Sequence, residues 1–204
     1  ASILYPKANL TSQRITDFLE SLGRPESTSA YFDAHVAWVR SICDDPAVLM
    51  DSTGLPNSIH FPLTAVSNHN GKISREVRMT TLVQRDTGYP LLFRITPGNI
   101  VDLSTVTRTL NELFLRDMSA DFVIMDAGYY TNDNIEELYA CEVDFITRLS
   151  SKYTIYNQIV KEHEPTLRRK ENLVQYKDRY VYIKRVECKI GHKEHTAYAY
   201  LGYD

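Results

Sequence analysis

Two short apolar runs, each stopping at an aspartate, constrain this chain more than any other feature. They are Val48-Leu49-Met50-Asp51-Ser52-Thr53 and, 75 residues further on, Phe122-Val123-Ile124-Met125-Asp126-Ala127-Gly128-Tyr129-Tyr130. A run of this length that ends in an acid and then a small residue reads as a buried strand delivering a carboxylate to a sheet edge. Two such deliveries point to a metal site. With 204 residues, 43% of them apolar, the chain can bury a substantial core as one domain, or as one domain with a smaller insert.

Cysteine usage and hydropathy remove several classes. Cys43, Cys141 and Cys188 are few, scattered and odd in number, so neither a disulfide framework nor a CxxC knuckle is implied, and a reducing cytoplasm fits. No stretch has the 18 or so apolar residues of a membrane helix, so no membrane partner is expected. The chain opens at Ala1 without an initiator Met and closes on Ala199-Tyr200-Leu201-Gly202-Tyr203-Asp204, which reads as a piece of a longer protein. The net charge of −3 conceals a lopsided distribution. From Lys152 to Glu194 there are 11 Lys and Arg against 6 Asp and Glu, and elsewhere 12 against 20. The basic segment is either an ordinary solvated surface or a face turned to DNA.

Periodicity gives the order of elements. Thr11 or Ser12 caps a helix carrying Ile15, Phe18, Leu19 and Leu22 on one stripe, ended by Gly23-Arg24-Pro25. A second helix, capped by Ser27, Thr28 or Ser29, carries Phe32, Val36, Val39 and Cys43 as a core stripe beside Trp38 and Ile42. A strand over 47–53 is followed by a turn-rich passage with Pro56, Asn57, Pro62, Asn68, Asn70 and Gly71. Residues 75–84 and 89–96 form a hairpin across Arg85-Asp86-Thr87-Gly88, with a positive φ expected at the glycine. Pro97-Gly98-Asn99 then turns the chain. A helix over 101–116, a strand over 121–126, a helix over 132–141 and a strand over 143–149 complete the run.

Three strands, then alternating helix and strand, is the order of an RNase H-like mixed α/β sheet flanked by helices. In such a sheet the first and fourth strands are neighbours, so Asp51 and Asp126 meet despite their separation. Mg²⁺ prefers hard oxygen ligands and keeps waters, so carboxylates and a phosphate complete its shell. Two such ions about 3.5–4 Å apart stabilise the attacking and leaving oxygens of an in-line phosphoryl displacement. Asp51 would bridge the two ions and Asp126 would hold one. The competing reading of each acid is a turn or cap residue after a strand.

The ordered set Asp51-Ser52-Thr53, Pro97-Gly98-Asn99 with Asp102, and Ile124-Met125-Asp126-Ala127-Gly128-Tyr129 resembles the DDE transposases of bacterial insertion sequences. Asp144-Phe145-Ile146-Thr147-Arg148-Leu149 and the charged, β-rich tail ending at Asp204 are similar to that family's fifth strand and inserted β domain, so the resemblance runs over about 45–204. It implies three regions: an N-terminal helical segment over 1–45, the first part of an RNase H-like core over 46–150, and part of a β-rich basic insertion over 151–204. It further implies Mg²⁺- or Mn²⁺-dependent cutting of DNA at transposon ends and transfer of the freed 3′-hydroxyl to target DNA. A homodimer in the active complex and a bacterial cytoplasmic location, at the nucleoid when DNA-bound, follow from the same resemblance. Asp51 and Asp126 match the first two acids of the triad. The third, in relatives with a β insertion, is a Glu within Tyr-x2-Arg-x3-Glu-x6-Lys. Here Tyr176-x2-Arg179 leads to Ile183, and Tyr182-x2-Arg185 to Lys189. The third acid is therefore expected after Asp204, and the fragment is expected to be inactive by itself. A regulator that keeps the fold without catalysis, or another RNase H-like nuclease, are the alternatives.

Other residues bear on DNA. Tyr129 and Tyr130 lie beside the proposed site, where a flipped or frayed base can stack, although most tyrosines simply pack. Lys152, Arg168, Arg169, Lys170 and Lys177 are candidates for phosphate contacts, which position DNA without reading its sequence. Cys188-x3-His192-x2-His195 offers three zinc-type ligands but no evident fourth. The alternation of Tyr180, Tyr182, Lys184 and Val186 favours a hairpin turning at Gly191, with both histidines at the surface.

Overall fold

A computed structural model describes residues 11–45, 47–57, 61–69, 72–99 and 106–204. Asp102 and the first residues of the helix expected over 101–116 lie outside them. Helices α1 (Ser12–Leu22) and α2 (Pro25–Ile42) open the chain. α2 begins at Pro25, earlier than its serines and threonine suggest, because a proline suits the first helical position, where the missing N–H has no partner to lose. Phe32, Val36 and Val39 are buried as the stripe predicts. Trp38 and Ile42, and the whole stripe of α1, remain exposed.

The main sheet contains β1 (Ala47–Pro56), β2 (Ala65–His69), β3 (Lys72–Gln84), β4 (Pro90–Pro97), β5 (Phe122–Met125) and β6 (Asp144–Thr147). The path is β2-β3-β1-β5-β6, with β4 also on β3. β3 runs antiparallel to β1, β2 and β4, whereas β1, β5 and β6 run parallel. Leaving β2 aside, the order β4-β3-β1-β5-β6 with an antiparallel first hairpin is that of the RNase H-like sheet. β2 was not legible as a strand; it arises in the turn-rich passage because β3 starts at Lys72 and its first residues need a partner, which 65–69 supply. The β3–β4 turn forms as expected, with Gly88 at φ +70° and the Gln84 side-chain oxygen accepting from the Thr87 amide at 2.6 Å.

α3 (Val106–Phe114) and α4 (Asn132–Ala140) are the crossovers that let β1, β5 and β6 run parallel. α4 starts where Thr131 accepts from the Asn134 amide at 3.2 Å. One sheet face carries Val48, Met50, Leu82, Val123 and Met125, which join Val106, Leu110, Leu113 and Leu138 of the helices in the principal core.

A buried ion pair sits on that face of β3. Glu76 and Arg78 are almost wholly buried, with Arg78 Nη2 at 3.6 Å from Glu76 Oε1, and Ser74 Oγ donates to Glu76 Oε2 at 2.9 Å. Gly54 and Gly98 close around Glu76. A Cβ on Gly54 would lie 2.8 Å from Glu76 Oε2, and one on Gly98 would lie 2.4 Å from the Glu76 carbonyl oxygen. The Gly98 contact is to backbone, so no rotamer relieves it. This explains why Pro97-Gly98-Asn99 carries a glycine.

The last third of the chain is less β-rich than its sequence suggests. Residues 154–167 form a helix, α5 (Thr154–Leu167), before β7 (Leu173–Tyr176), β8 (Arg179–Ile190) and β9 (His195–Tyr203) build a three-stranded antiparallel sheet. Pro165 is tolerated because it stands in the last turn, where it removes one hydrogen bond and only two helical residues follow. Ile155, Cys188, Ile190 and Ala197 form a second core with Tyr130 and Ile135, tying this sheet to the first.

Gly98→Ala is expected to destabilise the chain by about 1–3 kcal/mol in urea unfolding, the usual cost of overpacking. Gly202→Ala, where an added Cβ meets nothing within 4 Å, is expected to stay within about 0.5 kcal/mol of the unmodified chain.

Candidate active site

The position of the two acids follows from strand register. β1 and β5 pair in parallel with Val48 beside Val123, Leu49 beside Ile124 and Met50 beside Met125. Asp126 directly follows the end of β5, whereas Asp51 lies inside β1, which continues to Pro56 beyond the expected 47–53 because residues 51–56 pair with β3. Side chains alternate across a sheet, so while Met50 and Met125 point into the core, both aspartates project from the opposite face. Both are exposed. Among the described residues, no hydrogen bond or ion pair engages either carboxylate.

Backbone contacts fix both acids. Asp51 lies opposite Thr81 of β3, and the next residue, Ser52, accepts from Arg78 Nη1 at 3.4 Å, which links β1 to the buried ion pair. Asp126 is extended at φ −77°, ψ 170° and precedes a 3₁₀ turn over Ala127–Tyr129. Its carbonyl accepts from the Tyr129 amide at 3.1 Å and from Thr147 Oγ1 of β6 at 3.2 Å. The donor set is two hard carboxylate groups, Asp51 within β1 and Asp126 just past the end of β5, and oxygen donors of this kind suit a cation of the Mg²⁺ or Mn²⁺ type. Among the described residues, no three His, Cys, Asp or Glu side chains form a cluster able to hold a metal.

The other candidates disperse. Tyr129 and Tyr130 are only 2% and 5% exposed, so the rings read as base-stacking candidates are core residues instead. Tyr129 belongs to the principal core, and Tyr130 packs edge-on against Tyr153 at 4.8 Å. Apolar packing around a short turn draws them inward, which a two-residue motif does not reveal. Lys152 precedes α5, its Nζ 5.1 Å from the Tyr153 ring. Arg168, Arg169 and Lys170 cluster at the far end of that helix, with Arg168 stacked over Tyr203 at 3.9 Å. Lys177 occupies the β7–β8 turn. All five cations are exposed.

His192 and His195 face acids of α4. His192 Nε2 lies 3.1 Å from Asp133 Oδ1, and His195 Nε2 lies 3.0 Å from Glu136 Oε2, with the His195 ring stacked on Tyr139 at 3.9 Å. The Lys193 amide donates to Glu136 Oε1 at 2.9 Å. Gly191, at φ +76°, lets the turn approach so closely that a Cβ would meet Glu136 Oε1 at 2.7 Å. Sequence reasoning missed this clamp between the two sheets; its signal was Asp133 and Glu136, three apart on one helix, matching His192 and His195, three apart on a turn. The His195 hydrogen bond, then the Lys193 amide, hold the Glu136 carboxyl down at about 2.

These features define the class: an RNase H-like sheet that presents two carboxylates from adjacent parallel strands on one face. The Transposase DDE domain family matches residues 42–199, and the chain belongs to it. Among solved structures the chain is similar to piggyBac transposase, determined by cryo-EM as a synaptic complex with hairpin DNA. The TM-score is 0.41 and the identity 8%, covering 76% of this chain and 33% of that one. The chain thus spans a third of that protein's length. No curated protein sequence matches the chain. Among the described residues, no helix is long and apolar enough to cross a membrane.

A depressed carboxyl pKa stabilises the fold above the unfolded value and loses that contribution as pH falls through the folded value. The clamp is therefore expected to be fully effective above about pH 4.5 and to weaken toward about pH 2. Acid unfolding followed by circular dichroism should show a shallower pH dependence in this window for Glu136→Gln. Identical slopes for the two proteins would contradict the assignment.

Proposed function

We propose that this chain is the catalytic-core portion of a DNA transposase that cuts transposon-end DNA and joins the 3′-hydroxyl to target DNA. The observation that carries the reading is the β1–β5 register, whose last pair, Met50 with Met125, is followed on each chain segment by an aspartate, Asp51 and Asp126, on the same face. A divalent cation held there, Mg²⁺ or Mn²⁺, would supply charge stabilisation at the scissile phosphate. Asp51 and Asp126 supply its oxygen ligands. The Arg78–Ser52 contact and the Thr147–Asp126 contact hold the chain beside each acid, which limits the rearrangement that metal binding would require. Lys152, Arg168, Arg169, Lys170 and Lys177 are proposed to meet backbone phosphates.

The three-part organisation, with boundaries near residues 45 and 150, belongs to the same proposal, as do a homodimeric active complex and a cytoplasmic setting. A two-metal centre requires a third carboxylate, which no described residue supplies beside this pair. The chain by itself is accordingly proposed to bind metal weakly and not to cleave.

Calorimetric titration with Mn²⁺ tests the site. Asp51→Asn or Asp126→Asn is expected to weaken binding at least about tenfold, since each removes a charged ligand. Robust Mg²⁺-dependent nicking of supercoiled DNA by the 204-residue chain, lost in Asp51→Asn, would overturn the proposed inactivity while supporting the site.

A further inference from the structure

The β7–β9 sheet has one committed face and one open face. Tyr182, Lys184, Cys188 and Ile190 alternate inward along β8: Cys188 and Ile190 join the second core, and Lys184 Nζ donates to Thr166 Oγ1 of α5 at 2.7 Å. The intervening residues and their cross-strand partners form the other face. There Arg185 pairs with Tyr200, Glu187 with Tyr198, and Arg179 with Tyr176. Tyr176, Tyr198 and Tyr200 are 52%, 50% and 67% exposed.

We infer that this open face is a stacking platform for an unpaired DNA strand, with Tyr198 and Tyr200 as the stacking rings and Arg185 as the principal cation. Three observations support it. First, the guanidinium of Arg185 lies 3.7 Å over the Tyr198 ring and directly across from Tyr200, so a cation and two aromatic rings form one continuous surface. Secondly, cations outnumber acids there: Arg179, Arg185 and Lys189 stand against Glu187 and Asp204, with Asp204 ion-paired to Arg179, which leaves Arg185 as the central cation of the face. Thirdly, the spacing discriminates between DNA forms. Residues two apart on a strand stand roughly 6.8 Å apart, about twice the 3.4 Å separation of successive bases along a duplex strand. Tyr198 and Tyr200 therefore match bases that have been drawn apart, and duplex bases, stacked on one another, offer them no free faces. Aromatic stacking tolerates any sequence because every base has a π face.

This inference rests on the reading of the chain as one that acts on DNA, and it is separable from the acids because stacking requires no metal. Fluorescence anisotropy in EDTA, with labelled oligothymidylate and a labelled duplex of equal length, tests it on the full chain. Tyr198→Ser/Tyr200→Ser is expected to weaken oligothymidylate binding tenfold or more and to change duplex binding less than twofold. Tyr198→Phe/Tyr200→Phe should retain most of the affinity, since the ring is kept. Arg185→Gln should lower affinity and reduce its salt dependence. Equal losses on both DNAs, no loss in the Ser variant, or a Phe variant as weak as the Ser variant would each overturn the platform. So would the absence of oligothymidylate binding by the unmodified chain, or a self-association that the Ser variant abolishes without any change in oligonucleotide binding. If the Ser variant fails to fold by circular dichroism, the Phe and Arg185 variants decide. Loss of Mn²⁺ binding at Asp51 leaves this result untouched, so the two readings fail independently.

Discussion

The parallel pairing of β1 with β5 is the contact on which the rest of the site depends. It places Met50 beside Met125 inside and, one residue later, two carboxylates outside. A slip of one residue in either strand would turn that strand's aspartate toward the core and its methionine toward solvent, so the buried methionines and the exposed acids enforce a single register together. An unpaired carboxylate in the core is costly enough to make the slipped state unfavourable. The hydrophobic core thus specifies where the two carboxylates stand.

β3 supports that register from the other side. It pairs with β1, β2 and β4, and its Glu76–Arg78 pair is enclosed by Gly54 and Gly98. Breaking a buried pair by removing one partner leaves an uncompensated charge, so such a pair contributes more to geometric definition than to net stability. Here the geometry it defines reaches the site, because Arg78 also donates to Ser52, the neighbour of Asp51. At the opposite edge, Thr147 of β6 holds the Asp126 carbonyl. The chain beside each acid is thereby held, while among the described residues no hydrogen bond or ion pair engages either carboxylate.

Much of this was legible in the sequence because short apolar runs with abrupt polar ends encode buried parallel strands. The Asp51 and Asp126 strands and the β3–β4 turn at Gly88 carry local signals strong enough to read. What escaped depends on tertiary packing. α5 looked like charged tail because Glu162-His163-Glu164-Pro165 breaks any apolar rhythm, and the helix forms by packing Ile155 and Leu167. Tyr129 and Tyr130 looked available because proximity to an acid says nothing about which way a ring turns. The α1 stripe predicted a helix correctly, yet Phe18 and Leu19 are 60% exposed, since periodicity reports a face and not its partner.

The central claim is that Asp51 and Asp126 form one cation site. Amide NMR during a Mn²⁺ titration tests it most directly, because a bound paramagnetic ion broadens the resonances nearest to it. The amides of Asp51, Ser52, Asp126 and Ala127 are expected to broaden together at the lowest Mn²⁺ concentrations, and Asp51→Asn to delay the loss at both segments. Broadening that begins at Asp133 and Glu136, or that reaches one of the two aspartates without the other, would contradict it.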